Sequence, residues 1–308
     1  MATKLALALA AAVALAAATA STVSAQPAPP DKLKLGLYAP SVEFGTAQAR
    51  LLYAQGLAKA IEQATGIKTD AQSYGSIAAL RADNVDYAIV DATCYASNLN
   101  WKLIANANIG GFVTRTWALF SNAGDTMTAL KGKRLAYVAT GCNDGGFVDN
   151  AMFESEVDPQ FFTARTGEKD LVGAIADVTS YKTADAVFAP VGANVKGLAK
   201  VFETGVVPNP AFVEIDGKLP PGVSDKVAAA VTGFGGGGAI TGWARPSREP
   251  YQTLAGRMGR VAKTAVFATP EPVRVDARDV LLDPATLHDS ASIAVRHHFV
   301  RPPGERME

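Results

Sequence analysis

The chain has 308 residues, with 29 Lys plus Arg and 29 Asp plus Glu, so its formal charge at neutral pH is zero. This balance argues against a protein that coats nucleic acid or an anionic membrane. The hydrophobic content of 48% is that of a globular protein. The two cysteines exclude a multi-disulfide mini-scaffold, and the three histidines all lie at or after residue 288, which leaves no His-rich metal site in the body of the chain.

Residues 1–25 have the pattern of a secretory signal peptide. Lys4 is the only charged side chain before Asp31, and residues 5–18 contain only Ala, Leu and Val. This run is shorter than the about 20 residues of a membrane-spanning helix, and Val23-Ser24-Ala25 has the form of a cleavage site. We expect residues 1–25 to be removed, with an uncleaved anchor as the alternative, and residues 26–32 to be a Pro-rich spacer. The product should be periplasmic or secreted, without membrane insertion.

Strand and helix patterns alternate from residue 34 onward. Leu and Ala at helical spacing predict a helix over 47–65, closed by Gly66. Ser76 is placed to cap a short helix over 77–82, and residues 91–98 are a loop or a short helix. Short apolar runs predict strands at 34–38, 69–74, 87–90, 103–106 and 112–120.

The alternation restarts after a polar turn at residues 130–134. Further predicted elements are strands at 135–139 and 186–189 and helices at 147–154, 170–176, 194–203 and 224–231. Two such blocks predict an α/β fold with two mainly parallel sheets flanked by helices. The Pro-Asn-Pro sequence at 208–210 marks a crossing between the blocks.

The loop 140–146, Thr-Gly-Cys-Asn-Asp-Gly-Gly, joins a predicted strand to a predicted helix. Backbone N–H groups at such a helix start favour anionic ligand groups, and paired glycines allow a ligand to approach the backbone closely. The loop has neither a P-loop nor a G-x-G-x-x-G pattern, so nucleotide binding is not expected. The alternative is an ordinary turn in which the Asn or Asp caps the helix. The candidate ligand residues of the loop are Thr140, Asn143, Asp144, Gly145 and Gly146.

Three side chains of the first block repeat this placement. Ser76 starts a predicted helix after a strand, and Tyr38 and Tyr95 lie at or just after strand ends, where open α/β sheets bind ligands. Tyrosine suits a wet cleft because it combines an apolar ring with a polar hydroxyl. The alternatives are a capping role for Ser76 and ordinary packing for the tyrosines.

Cys94 and Cys142 each follow a predicted strand, in different blocks. An oxidising compartment favours a disulfide between them. A nucleophilic Cys142 is a second alternative, but every histidine that could act as its base lies in the last part of the chain. A disulfide would pin the two blocks together, so we expect two free, mostly buried thiols.

Several short passages, in a fixed order, resemble one known family. They lie at 74–76, 85–88, 119–121, 130–136, 184–187, 208–212 and 239–243. Their order and spacing resemble the phosphate/phosphonate-type substrate-binding proteins of ABC importers, which have the type 2 periplasmic binding protein fold. The likeness covers about residues 33–258.

The resemblance implies a two-lobed protein. Lobe one would be residues 33–118 plus 206–270, lobe two residues 119–205, and residues 271–308 a C-terminal tail. The protein would be a monomer, without cofactor or metal, that traps a small ligand between the lobes and delivers it to an ABC transporter permease. Asp185 lies in the passage that returns from lobe two and joins the candidate ligand residues.

The loop after the lobe-two strand departs from the family. The resembled proteins carry a Ser-Thr-Ser-Gly-Tyr run whose hydroxyls bind phosphonate, whereas residues 143–147 read Asn-Asp-Gly-Gly-Phe. Asp144 would repel a phosphate group that lies close to it. The resemblance therefore carries over the fold better than the ligand. Two other functions stay open: a secreted enzyme with Cys142 as nucleophile, and a ligand-sensing or scaffold protein with a diverged site.

Overall fold

The computed structural model describes residues 30–216 and 219–260. The expected signal peptide, most of the Pro-rich spacer and the tail 271–308 lie outside the described residues.

The described residues form an α/β fold. The strands are β1 (Lys32–Tyr38), β2 (Lys68–Ser73), β3 (Tyr87–Val90), β4 (Lys102–Asn108), β5 (Thr114–Ser121), β6 (Arg134–Val138), β7 (Ala164–Glu168), β8 (Ala186–Pro190), β9 (Ala199–Pro208), β10 (Ala211–Glu214) and β11 (Gly242–Ala244). The helices are α1 (Ala47–Thr65), α2 (Ile77–Ala82), α3 (Ala92–Ala96), α4 (Met127–Leu130), α5 (Gly146–Met152, with π-helical hydrogen bonds), α6 (Leu171–Thr179), α7 (Pro221–Gly233) and α8 (Glu249–Met258). No helix within 30–216 or 219–260 is both long and apolar enough to cross a bilayer.

The strands form two sheets of the same design, which define two lobes. Lobe one contains the sheet β11-β4-β10-β3-β1-β2, and lobe two contains the sheet β7-β6-β8-β5-β9. In each sheet three strands run parallel, β2-β1-β3 and β7-β6-β8, and an antiparallel strand, β10 or β5, lies beside them. In both lobes the chain reaches this strand as it arrives from the other lobe. It arrives at the carboxyl ends of the parallel strands, so the strand runs antiparallel to them. The sheets are therefore mixed, which corrects the expectation of mainly parallel pairing.

Strands β5 and β9 form the two crossings between the lobes. They pair along their lengths, from Thr114 opposite Pro208 to Ser121 opposite Ala199. The expected lobe boundaries at 118–119 and 205–206 fall inside these two strands. The sheet of lobe two therefore begins at Thr114 and ends at Pro208.

Local sequence signals fix several element ends. Helix α1 begins where the Thr46 side chain accepts a hydrogen bond from the backbone N–H of Ala49, and it ends at Gly66, whose φ of 73° suits glycine. These bounds confirm the predicted helix over 47–65, and α2 and β3 likewise match their predictions. Helix α1 packs on the sheet of lobe one, and the indole N–H of Trp243 donates to the hydroxyl of Tyr53 at 3.0 Å.

The predicted helix over 194–203 is wrong, because residues 199–208 form the strand β9. The local sequence is compatible with a helix. In the folded chain, however, β9 pairs with β5, and this pairing provides hydrogen-bond partners for its backbone N–H and C=O groups and adds β9 to the sheet. Strand β7 and helix α8 were not predicted. Strand β7 is mostly exposed at a sheet edge, so it lacks the apolar pattern of a buried strand.

Helix α8 contacts both lobes. The centroid of the Tyr251 ring lies 4.8 Å from that of the Tyr95 ring in lobe one. At the other end of the helix, the carbonyl of Met258 accepts from Asn150 at 2.9 Å, and Arg257 donates to the carbonyl of Val206 at 3.0 Å, both in lobe two. A hydrophobic core runs without a break from lobe one into lobe two beneath this helix. The lobes are therefore packed against each other.

An ion pair joins β6 to β8 where both strands begin. The carboxylate of Asp185 accepts from the backbone N–H, Nε and Nη2 of Arg134, each at 2.9 Å. These hydrogen bonds lower the pKa of Asp185. Asp185 therefore stabilises the fold above the pKa of an unfolded Asp, about 3.9, and loses this effect as the pH falls through its lower folded value.

We expect Asp185→Asn to lower the free energy of unfolding by about 1–2 kcal/mol at pH 7, measured by urea denaturation, because charge-assisted hydrogen bonds are lost. The difference from the unaltered protein should shrink as the pH falls below about 4. The exposed Asp125 provides the control Asp125→Asn, which should change stability little at either pH. An equal loss of stability at pH 7 and at pH 3 would contradict the role of this carboxylate.

Candidate functional site

The carboxyl ends of the parallel strands of the two lobes meet at a hydrogen-bonded contact. The hydroxyl of Tyr38, at the end of β1, donates to the carbonyl of Thr140 at 3.0 Å. The hydroxyl of Thr93 donates to that of Thr140 at 3.0 Å, and Ser97 donates to the carbonyl of Cys142 at 3.1 Å. We call these residues, Tyr38, Thr93 and Ser97 of lobe one with Thr140 and Cys142 of lobe two, the lobe junction. Burial raises the pKa of Tyr38 to about 12, so its hydroxyl stays a donor at neutral pH.

Cys94 and Cys142 form a disulfide across the junction, with their Cα atoms 4.8 Å apart. The expectation of two free thiols is therefore wrong. That expectation rested on the idea that the lobes must separate, whereas the structure has them in direct contact. The bond joins α3 of lobe one to the loop after β6 of lobe two. It also leaves Cys142 without the thiolate that a nucleophile requires.

The Asp144 carboxylate binds the backbone of its own loop. Oδ1 accepts from the N–H of Thr140 at 2.9 Å and from its hydroxyl at 2.6 Å, and Oδ2 accepts from the N–H of Gly141 at 2.9 Å. These donors precede Asp144, so the carboxylate does not cap the helix that follows. The carboxylate already occupies two backbone N–H donors that could otherwise bind an anion.

The other loop residues shape the start of α5. Asn143 has a φ of 62°, and its side-chain oxygen accepts from the N–H of Gly146 at 3.2 Å. Gly145 precedes the helix without a side-chain cap. A Cβ atom at Gly146 would lie 2.7 Å from the carbonyl of Met258, so this glycine permits the close packing of α8. Gly146 therefore serves packing, and Gly141, with a φ of 70°, serves the turn.

Ser76, Tyr95 and Asp185 do not join the junction. The Ser76 hydroxyl accepts from the N–H of Ala79 at 3.1 Å and so caps α2. Tyr95 is fully buried against Tyr251. Asp185 lies at the amino ends of β6 and β8, opposite the edge that carries the junction.

A second feature between the lobes is an open groove of about 600 Å³. It lies beside the crossing strands, between the loop after β1, the β4–β5 connection and the loop after β8. Its apolar lining includes three side chains with large exposed fractions, Phe112 at 70%, Val206 at 57% and Val191 at 47%. The residues that line it are Glu43, Ile109, Gly110, Phe112, Thr114, Arg115, Thr116, Pro190, Val191, Gly192, Ala193 and Val206. We call this feature the Arg115 groove.

Arg115 brings the positive charge of the groove. Its Nε donates to the side-chain oxygen of Asn209 at 2.8 Å, and its Nη2 lies 3.4 Å from the carbonyl of Ser41. Burial lowers the pKa of Arg115, while Asp91 and Glu43 raise it. Arg115 has no ion-pair partner within 4.0 Å among residues 30–216 and 219–260.

Sequence reasoning did not identify Arg115. The available signal was an arginine between two threonines at the start of a predicted apolar strand. A charged residue there is most simply explained as a solvent-facing residue at a strand end, so the pattern alone does not point to a site.

In the part of the chain that the structure describes, no group of three or more His, Cys, Asp or Glu residues could hold a metal ion.

Comparisons with known proteins identify the fold. No family model and no curated protein sequence matches the chain. Among solved structures, XAC2383 from Xanthomonas citri bound to chloride has 14% identity and a TM-score of 0.58, covering 74% of this chain and 98% of that one. PhnD1 from Prochlorococcus marinus in complex with methylphosphonate has 15% identity and a TM-score of 0.58, covering 75% and 97%. A binding protein component of an ABC phosphonate transporter from Pseudomonas aeruginosa has 14% identity and a TM-score of 0.56, covering 75% and 88%.

At these identities the likeness concerns the fold. The chain has the two-lobed α/β architecture of type 2 periplasmic binding proteins, which confirms the predicted fold class. Chloride and methylphosphonate are ligands of those proteins, and the likeness does not assign either to this chain.

The disulfide gives a first prediction for this region. Its cysteines are 48 residues apart, and closing such a loop removes about 4 kcal/mol of chain entropy from the unfolded state. We expect Cys94→Ser to lower the free energy of unfolding by about 2–4 kcal/mol in non-reducing buffer. In the presence of reductant the variant and the unaltered protein should unfold at nearly the same urea concentration. Two titratable thiols in the denatured, unreduced protein would contradict the bond.

The Asp144 carboxylate gives a second prediction. Asp144→Ser removes the carboxylate that holds the N–H groups of Thr140 and Gly141, so these donors become free for another anion. We expect methylphosphonate to bind this variant more tightly by about 1–3 kcal/mol, measured by isothermal titration calorimetry. Asp144→Asn is the matched control that removes the charge, because its side-chain oxygen can still accept from the N–H of Thr140, whereas its amide nitrogen cannot accept from that of Gly141. We expect this variant to gain less affinity for methylphosphonate than Asp144→Ser. Tight methylphosphonate binding by the unaltered protein would show that Asp144 does not exclude the anion.

Proposed function

We propose that the chain is an exported solute-binding protein, which holds a small molecule between its two lobes and delivers it to a membrane partner of the ABC importer type. The observation that carries this proposal is the meeting of two sheets of one design at the carboxyl ends of their parallel strands, with the Arg115 groove between the lobes. The likeness to solved binding proteins supports the fold on which this function depends. The apolar leader at residues 1–25 supports export.

The proposed solute is not phosphate or phosphonate bound at the loop after β6. The backbone donors of that loop already hold the Asp144 carboxylate, and a phosphate dianion would have to displace it. Displacement would leave two negative groups close together in a partly buried place, which is unfavourable. We therefore place the ligand elsewhere between the lobes.

The proposal does not include catalysis. The alternative function, a secreted enzyme, requires Cys142 as its nucleophile. In this structure the sulfur of Cys142 is bonded to that of Cys94. Acyl or group transfer by this residue would first require reduction of the bond.

A second candidate is a ligand-sensing protein whose lobes stay closed. The disulfide and the contacts of α8 with both lobes favour it, because both oppose separation of the lobes. Such a protein would present one fixed surface to a membrane receptor. The two candidates differ in whether the lobes move.

A solute panel combined with small-angle X-ray scattering tests both candidates. We screen carboxylates, sulfonates, phosphonates, amino acids and cations for an increase in melting temperature, with and without reductant. We expect at least one solute to raise it by several degrees, because ligand at about 100 times its Kd contributes about 2.7 kcal/mol. A solute-binding protein that opens should expand when reduced and contract again when the solute is added, whereas the sensor should keep one radius of gyration.

Two outcomes would overturn the binding proposal. The first is that no solute class changes the melting temperature in either redox state. The second is that the solute which stabilises the protein is chemically converted, since turnover indicates an enzyme.

A further inference from the structure

With the lobes in contact, the lobe junction and the Arg115 groove differ in how easily a small molecule can enter them. At the junction the residues of the two lobes bond to each other, through hydrogen bonds and through the Cys94–Cys142 disulfide. The groove remains open, although both lobes line it. A small molecule can therefore reach the groove without breaking the disulfide or lifting α8.

The groove has the size and lining of a small-molecule site. Its volume of about 600 Å³ lies in the ordinary range of ligand pockets, roughly 300–1,000 Å³. Phe112, Val191 and Val206 come from three different segments and expose apolar side chains toward solvent along the same groove. Apolar side chains that converge on one groove give the apolar part of a ligand a surface against which it can be buried.

The charged residues that line the groove are Arg115 and Glu43, and Asp91 lies near enough to Arg115 to raise its pKa. The guanidinium is the group that would recognise an anionic ligand. Arg115 is held in place by Asn209, a fully buried residue, so its guanidinium is positioned before any ligand arrives. Its hydrogen bonds with described residues use Nε and Nη2, which leaves the Nη1 hydrogens for a ligand. A guanidinium recognises the planar oxygens of a carboxylate particularly well. Glu43 also lines the groove and disfavours a dianion.

We propose that the Arg115 groove is the ligand site of this protein, and that it binds small organic monoanions, carboxylates with an aromatic or branched apolar body. The carboxylate pairs with Arg115, and the apolar body covers Phe112, Val191 and Val206. This inference rests on the proposed solute-binding function and names the class of solute.

Saturation-transfer NMR and isothermal titration with benzoate, phenylacetate and 3-methylbutanoate test the assignment, with benzamide as the uncharged control. We expect the carboxylates to bind the unreduced protein and benzamide to bind at least about 10-fold more weakly, because charge-assisted hydrogen bonds are the strong ones. Cys94→Ser should leave the carboxylate affinity unchanged, because the site does not need the lobes to separate.

Two variants locate the bound carboxylate. Arg115→Gln should weaken binding at least about 10-fold, while Arg81→Gln, at an exposed arginine outside the groove, should not. Because Arg115→Gln also alters a contact with buried Asn209, Phe112→Ser provides a second variant at an exposed position, and we expect it to weaken binding severalfold without loss of stability.

The outcomes separate this inference from the proposed function. Carboxylate binding that survives both Arg115→Gln and Phe112→Ser, or that needs reductant, overturns the groove as the site. If the carboxylates fail to bind but another solute of the panel stabilises the protein, this inference is wrong and the solute-binding function stands. If no solute of any class binds in either redox state, the proposed function is wrong as well.

Discussion

The Asp144 carboxylate fixes the shape of the loop after β6, through which lobe two contacts lobe one. By accepting from the backbone of Thr140 and Gly141, it folds residues 140–144 into a compact turn. In that shape the carbonyl of Thr140 reaches the hydroxyl of Tyr38, and Cys142 lies close enough to Cys94 for a disulfide. The contact between the lobes at this strand end therefore includes a loop whose shape is set by an internal carboxylate.

The rest of the interface follows from that contact. With the lobes in contact, their apolar faces merge into one core, and α8 packs across both. The close approach of α8 to α5 in turn requires a glycine at position 146. Covalent, polar and apolar contacts thus all favour the same arrangement, and the open space between the lobes lies near the crossing strands. There Arg115 is the cation, and apolar side chains remain uncovered.

Much of lobe one could be predicted because its signals are local. The Thr46 cap, the Gly66 end and the apolar spacing of 47–65 each act within a few residues, and so they define α1 without reference to the rest of the chain. The disulfide partners could be named, since the chain has two cysteines, but their bonding depended on whether the lobes touch. Asp144 could be singled out as a departure from the resembled family, whereas its hydrogen-bond partners could not.

The sequence by itself determined the α/β class, the capped helices, the buried strands and the residues that end them, because periodicity and capping are short-range effects. Only the tertiary structure decided the direction of β10 and β5, the strand β9 in place of a helix, and the closure of the lobes. These depend on backbone pairing and packing between segments far apart in the chain, such as Thr114 with Pro208 and Cys94 with Cys142. The Arg115 groove arises in the same way, since residues from 43 to 206 line it and no local pattern connects them.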